Sequence, residues 1–209
     1  MNTLGILISG RGSNFQAIAA SVNDGLLDAA IAVVISNKPD APGLHIAEER
    51  GIPSVCIPSK GKEREVFDRE VAAELQRREV GLVCLAGFMR LLSPWFVREF
   101  DRRILNIHPS LLPAFPGVEA AHQALDHGVK ITGCTVHFVD EHLDAGSIIR
   151  QAAVPVMDDD TEAALSARIL VQEHRIYTEA IRVVLSGRYR VEGRRVLYDE
   201  AIATASSAS

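Results

Sequence analysis

Cysteine is scarce in this chain of 209 residues: there are three, Cys56, Cys84 and Cys134, far apart and with no CxxC pair. Each lies in an apolar, strand-like run, which reads as a small buried hydrophobe rather than a metal or redox site. Excess basic charge is missing as well. Lys and Arg number 22 against 27 Asp and Glu, a net charge of −5, so the chain lacks the basic footprint of a nucleic-acid binder. Long apolar runs are also absent, and no stretch reaches the ~18–20 residues that a bilayer span needs. The apolar start, Thr3–Ser9, has no positive segment before it and is soon broken by glycine, arginine and asparagine, unlike a secretory signal. These absences predict a cytoplasmic protein with neither nucleic acid nor membrane as partner.

What is present is ordinary for a globular protein: 47% hydrophobic and 23% charged residues. The length suits one α/β domain, placed over residues 1–200, and the small polar tail 201–209 offers little to bury and is expected to be disordered. Short runs rich in β-branched residues predict strands at Thr3–Ser9, Ile31–Ser36, Ser54–Ile57, Leu82–Ala86 and Ile104–His108. Helices are predicted between them at Ser13–Asp24, Gly43–Arg50 and Glu63–Arg78, the last with Val66, Val71 and Leu75 as its apolar side. Two longer strands, Thr132–Val139 and Ser147–Val156, are joined by the polar link Asp140–Gly146 at hairpin spacing. A helix follows from Thr161 to about Leu185, with Thr161 as N-cap and Gly187 beyond its end, then a small hairpin within Arg188–Tyr198. The expected architecture is α/β: a Rossmann-like, mostly parallel sheet flanked by helices, with an antiparallel extension in the C-terminal half.

Three segments carry candidate chemistry. Ser9-Gly10-Arg11-Gly12-Ser13-Asn14 joins the first strand to the first helix, where unpaired N–H groups and the helix dipole suit a phosphate. The loop lacks the third glycine of G-x-G-x-x-G, with Phe15 in its place, so an ordinary tight turn fits these residues equally well. In Asn106-Ile107-His108-Pro109, alternation puts the amide and the imidazole on one face, and Pro109 stops the ladder. At the carboxyl end of a parallel strand that pair is placed to stabilise an oxyanion and move a proton. The alternative is a polar strand end satisfied by backbone, and the shared face and proline stop favour function. The acidic loop Asp140-Glu141-His142-Leu143-Asp144 has neither EF-hand spacing nor a second nitrogen ligand, so a solvated turn is preferred over a metal site. One of its carboxylates docked beside His108 would hold an imidazolium, although spacing alone does not establish the docking. His137, inside an apolar strand, reads as a packed structural histidine.

Taken together, the motifs ISGRGSN, ISNKPDAPGL, LAGFMRLLSPWFV, ILNIHPSLLPAFPG, TGCTVHFVDEHLDAGSII and QEHRIY resemble the folate-dependent phosphoribosylglycinamide formyltransferases, from about Leu4 to Gly187. The resemblance implies the formyltransferase fold and transfer of the formyl group of 10-formyltetrahydrofolate to glycinamide ribonucleotide in purine biosynthesis. It implies that Asn106, His108 and Asp144 are catalytic, that Gly12, Ser13 and Asn14 hold the substrate phosphate, and that Glu173 contacts ribose or glycinamide. It further implies that Met89, Arg90, Leu91 and Leu92, with Asp140, Glu141, His142 and Leu143, line the folate ring pocket, and that Arg64 reaches the carrier's outer part. Without it, Met89 and Leu92 read as core, Arg64 as a solvated charge and Glu173 as an exposed helix residue. The chain departs from the family where many members carry loop histidines: here Val118-Glu119-Ala120-Ala121-His122 follows Pro116-Gly117, and Ala114 replaces a basic residue of some relatives.

The reaction expected is direct attack of the amine on the formyl carbon through a tetrahedral intermediate, with no metal and no covalent enzyme adduct, since Ser110 has no evident base. The protein would work as a monomer or weak homodimer. The nearest rival is a 10-formyltetrahydrofolate hydrolase of the same fold. Related deformylases carry an extra N-terminal domain and related transfer-RNA formylases an extra C-terminal one, for which this length leaves no room. A nucleotide-binding oxidoreductase would want a third loop glycine and an acidic end to the second strand, where Ser36-Asn37 stands. A non-catalytic folate binder would leave the Asn106/His108 pair unexplained.

Overall fold

The computed structural model describes residues 2–198; residues 199–200 and the expected tail at 201–209 lie outside the described residues. The elements run β1 (Thr3–Ile8), α1 (Ser13–Asn23), β2 (Ala30–Ser36), α2 (Pro42–Glu49), β3 (Ser54–Cys56), α3 (Arg64–Arg77), β4 (Leu82–Leu85), α4 (Pro94–Glu99) and β5 (Ile104–His108). They continue as α5 (Ala120–Asp126), β6 (Ile131–Phe138), β7 (Ile148–Pro155), α6 (Glu162–Ser186), β8 (Tyr189–Glu192) and β9 (Arg195–Tyr198). Among the described residues the nine strands form one sheet in the order β3-β2-β1-β4-β5-β6-β7-β9-β8. The first five are mutually parallel, and β6 runs antiparallel to both β5 and β7. The strand order reverses between β1 and β4, which makes their carboxyl ends a topological switch point, where open α/β sheets bind ligands. Among the described residues, no helix is long and apolar enough to cross a membrane.

Two apolar layers hold the sheet. Leu4, Ile6, Cys84, Leu105, Cys134 and Val136 join Phe15 and Ile18 of α1 and Leu165, Ile169, Ile176 and Ile181 of α6 on one side. Leu7, Val33, Ile35, Val83 and Ile104 join Phe67, Val71 and Leu75 of α3 and Phe96 of α4 on the other. Each fully buried Leu, Ile or Phe side chain contributes about 1.5–3 kcal/mol. Tyr177 of α6 donates its hydroxyl proton between the carbonyls of Leu85 and Leu105, at 2.9 and 3.1 Å, and so pins β4 to β5.

Local signals explain most of the boundaries. Thr161 caps α6 by accepting from the Ala164 N–H at 3.2 Å, and Gly187, at φ 64°, ends it in the left-handed conformation. Three expectations change. The short helices α4 and α5 were not anticipated, although Ser93 caps α4 and Pro94 opens it. In α3 the inward residue is Phe67, while its neighbour Val66 is 53% exposed. Cys84 and Cys134 are buried, and burial pushes both thiols up to about 12, whereas Cys56 is only half-buried on the edge strand β3.

Candidate functional site

The glycine loop crosses the switch point. Ser9 ties it to the β4–α4 segment twice: its N–H donates to Gly87 O at 3.1 Å, and its Oγ accepts the Met89 N–H at 2.8 Å while donating to Asn37 Oδ1 at 2.6 Å. Gly12 sits at the N-cap of α1 with φ 68°, a left-handed conformation that disfavours any Cβ, and provides no side-chain cap. The first amides of α1 are therefore left to an outside acceptor. Gly43 packs against the loop so closely that a Cβ would lie 2.5 Å from Ile8 Cδ1 and 3.0 Å from Gly10 O.

Beside the loop, Asn14 donates from Nδ2 to Glu173 Oε2 at 2.8 Å, joining α1 to α6. Glu173 is 7% exposed. Burial pushes its carboxyl up in pKa, against the opposing effects of Asn14 and His108. The sequence carried a signal for this burial, since Glu173 falls four residues after Ile169 and three before Ile176 on the apolar stripe of α6. Asn14 Oδ1 is buried without a donor. A protonated Glu173, or a glutamine there, would supply one. Because the folded carboxyl holds its proton more tightly than the unfolded one, its contribution favours folding below the ordinary glutamate range and is lost as pH rises through the raised folded value. Glu173→Gln should therefore raise Tm at pH 8, and thermal melts should show that gain shrinking towards pH 4; a lower Tm at pH 8 would contradict it.

The amide–imidazole pair lies on the opposite face of the sheet, as alternation along β5 requires. Its surroundings are supplied by β6. In the antiparallel ladder Asn106 faces His137 and His108 faces Thr135, and facing residues in a ladder project from the same side. The β6–β7 register slips by one residue between Val136 and His137, an irregularity of the kind that re-aims side chains. The link between those strands then folds back so that Asp144 Oδ2 lies 3.5 Å from His108 Nδ1 and Oδ1 lies 3.7 Å from His137 Nε2. The Asp144 side chain is 8% exposed, and its Oδ2 accepts the Gly117 N–H at 2.8 Å. His108 donates from Nε2 to Phe115 O at 2.8 Å, so both of its ring nitrogens face oxygens and an imidazolium would find an acceptor for each N–H. His137 is buried as expected but is not merely core: Asn106 Nδ2 lies 3.3 Å from its Nε2, and its Nδ1–H donates to Phe138 O at 2.8 Å.

The remaining candidates lie mostly at the surface. Met89 and Leu91 are 71% and 54% exposed and Leu143 is 56% exposed, apolar surface that stands open, while Leu92 packs partly into the second core layer. Arg90 lies over the Phe67 ring at 4.9 Å and donates to Lys62 O at 3.2 Å, with its Nε buried and unpartnered. Beneath this segment is a residue the sequence reading missed, Asp68, fully buried and accepting the Ser93 N–H at 2.5 Å; desolvation pushes its pKa up, partly offset by Ser93, Arg90 and Arg64. Arg64 is exposed at the start of α3. Asp140 Oδ1 accepts the His142 N–H at 2.9 Å, Glu141 is turned to Arg98 at 2.8 Å, and His142 is exposed. Gly12, Ser13, Asn14 and Glu173 thus form one corner and Asn106, His108 and Asp144 a second, while the 89–92 segment is tied to the glycine loop through Ser9.

A doubly wound sheet with a carboxylate, two imidazoles and a primary amide gathered beside its switch point defines an α/β enzyme equipped for proton transfer. Residues 3–181 match the family described as Formyl transferase. The chain is 44% identical over 187 residues to phosphoribosylglycinamide formyltransferase of Escherichia coli (strain K12), covering 89% of this chain and 88% of that protein. It is 49% identical over 185 residues to the trifunctional purine biosynthetic protein adenosine-3 of Drosophila melanogaster, covering 87% of this chain but spanning 14% of that longer protein. In structure it is similar to glycinamide ribonucleotide transformylase 1 from Symbiobacterium toebii, with a TM-score of 0.92, 52% identity and coverage of 95% and 94% of the two chains. A formyltetrahydrofolate deformylase from Pseudomonas syringae aligns at TM-score 0.89 with 30% identity, covering 95% of this chain and 66% of that one. The chain belongs to the formyl transferase family.

Proposed function

We propose that the protein transfers the formyl group of 10-formyltetrahydrofolate to the primary amine of glycinamide ribonucleotide, a step of purine biosynthesis, in a cytoplasmic setting. The observation that carries this reading is the His108–Asp144 pair, joined to Asn106 through His137 at the carboxyl end of β5; the uncapped glycine loop and the exposed Met89 and Leu91 support it. Gly12, Ser13 and Asn14 would present backbone N–H groups to the ribonucleotide phosphate, with Glu173 beside them for the ribose or glycinamide. Met89, Arg90, Leu91 and Leu92, with the loop from Asp140 to Leu143, would take the folate ring, and Arg64 its outer part.

In this scheme the amine attacks the formyl carbon and a tetrahedral oxyanion develops. Asn106 donates to that oxygen, His108 as an imidazolium held between Asp144 and Phe115 O stabilises its charge, and Asp144 helps carry the proton from the attacking amine to the departing folate nitrogen. Holding two substrates in one preorganised cleft supplies a large share of the acceleration. These side chains perform every step, so turnover should survive chelation. The assay follows the folate product by absorbance with and without glycinamide ribonucleotide. Product formation that depends on the ribonucleotide and persists with chelator is expected; formation at the same rate without it would establish the hydrolase instead.

A further inference from the structure

Resting on that reading, we propose that His137 is a positioning residue which fixes the orientation of the Asn106 amide, so that an N–H rather than the carbonyl faces the developing oxyanion. Nδ1 of His137 lies 2.8 Å from a carbonyl oxygen, that of Phe138, which only accepts, so Nδ1 carries the proton. Burial at 2% exposure disfavours a second proton, and the ring's pKa is pushed below the usual histidine value by that desolvation, against the smaller opposing effects of Phe138 and Asp144. Nε2 is then a bare lone pair.

That lone pair is 3.3 Å from the Asn106 side-chain nitrogen. Turned the other way, the amide would set its carbonyl oxygen against the lone pair, and two acceptors would meet in a buried site. The Asp144 carboxylate, 3.7 Å from the same Nε2, adds to the negative potential and favours the same orientation. One N–H of Asn106 is thereby committed to His137, and the second is left for the substrate. The ladder fixes the distance, because Asn106 and His137 are direct partners in β5 and β6. The chain thus spends a buried histidine on aiming an amide that could otherwise flip at little cost.

Two variants and two measurements test this. His137→Leu should lower kcat by about 10–100-fold, since a misdirected donor costs nearly what an absent one does, while KM for both substrates stays within about twofold. His137→Gln, whose Oε1 can reach the place of Nε2 as an acceptor, should recover at least about tenfold of that loss. By NMR, the Asn106 amide proton that donates to the ring, assigned by its loss in Asn106→Ala, should move upfield in His137→Leu and much less in His137→Gln. Equal losses of kcat in the Leu and Gln variants, a loss confined to KM, or an unmoved amide proton would each overturn the proposal. The wild-type assay tests the reaction by itself, and the amide resonance reports on the orientation even if the substrates prove to be others.

Discussion

Asp144→Asn should lower kcat by about 10²–10⁴-fold, the usual contribution of one general acid–base group, with both KM values changed far less. The substitution keeps the side chain's size and a carbonyl oxygen able to accept the Gly117 N–H, which Asp144 holds at 2.8 Å. What it removes is the negative charge 3.5 Å from His108 and 3.7 Å from His137, in a side chain only 8% exposed, where solvent screening is weak. An imidazolium formed during proton transfer then loses its counter-charge at the moment of greatest need. An interaction used chiefly in the transition state lowers kcat and kcat/KM together. Steady-state kinetics on the folded variant decide the matter, and turnover within about twofold of wild type would return Asp144 to a structural role.

Gly146→Ala should be nearly as damaging without touching a charged group. A Cβ on Gly146 would stand 1.8 Å from Phe138 O and 2.8 Å from its carbon, both backbone atoms that cannot swing aside. The clash falls between two supports of the site, since Phe138 O is the acceptor that holds the His137 ring and Gly146 lies two residues beyond Asp144. Relief requires the 140–146 link or the end of β6 to shift, and a displacement near 1 Å costs about 10²-fold in rate. Forced overpacking should also cost about 1–3 kcal/mol of stability. Gly81→Ala is the control, because its Cβ would meet nothing nearer than 3.6 Å. Melting curves and kcat for the two variants should separate clearly; if they coincide, the close packing at Gly146 does not position Asp144.

The parallel half of the sheet was legible because its central strands β1, β4 and β5 are largely buried and announce themselves, like the edge strand β3, as short apolar runs between helical segments. α4 and α5, of six and seven residues, escaped because fewer than two full turns leave no period to read. The choice of Val66 over Phe67 as the inward residue of α3 shows that one position of phase separates a core residue from an exposed one. Within the site, Asn106 and His108 were readable from alternation and the proline that follows them. Thr135 and His137 show the same alternation, polar between Cys134, Val136 and Phe138, but only the ladder register reveals that this polar face meets Asn106. Asp144 stands at the end of a folded-back link whose course no spacing predicts, and its place beside His108 was implied by resemblance alone. Glu173 carried a signal that went unused, a carboxylate on an apolar stripe.

The bond between Asn14 and Glu173 spans 159 positions of the chain, and this separation bears on how the protein is made. During vectorial synthesis the glycine loop emerges first, and the strand bearing Asn106 and His108 follows, well before α6. A nascent chain halted short of residue 162 would contain the amide, both imidazoles and Asp144, yet Asn14 would have no partner. The apolar faces of Leu4, Ile6, Phe15 and Ile18 would also lack the helix that covers them. Such a chain is sticky, and its glycine-loop corner is unfinished. Ribosome-bound fragments of this protein should therefore recruit holdase chaperones until α6 has cleared the exit tunnel, and competence to bind should arrive in one late step.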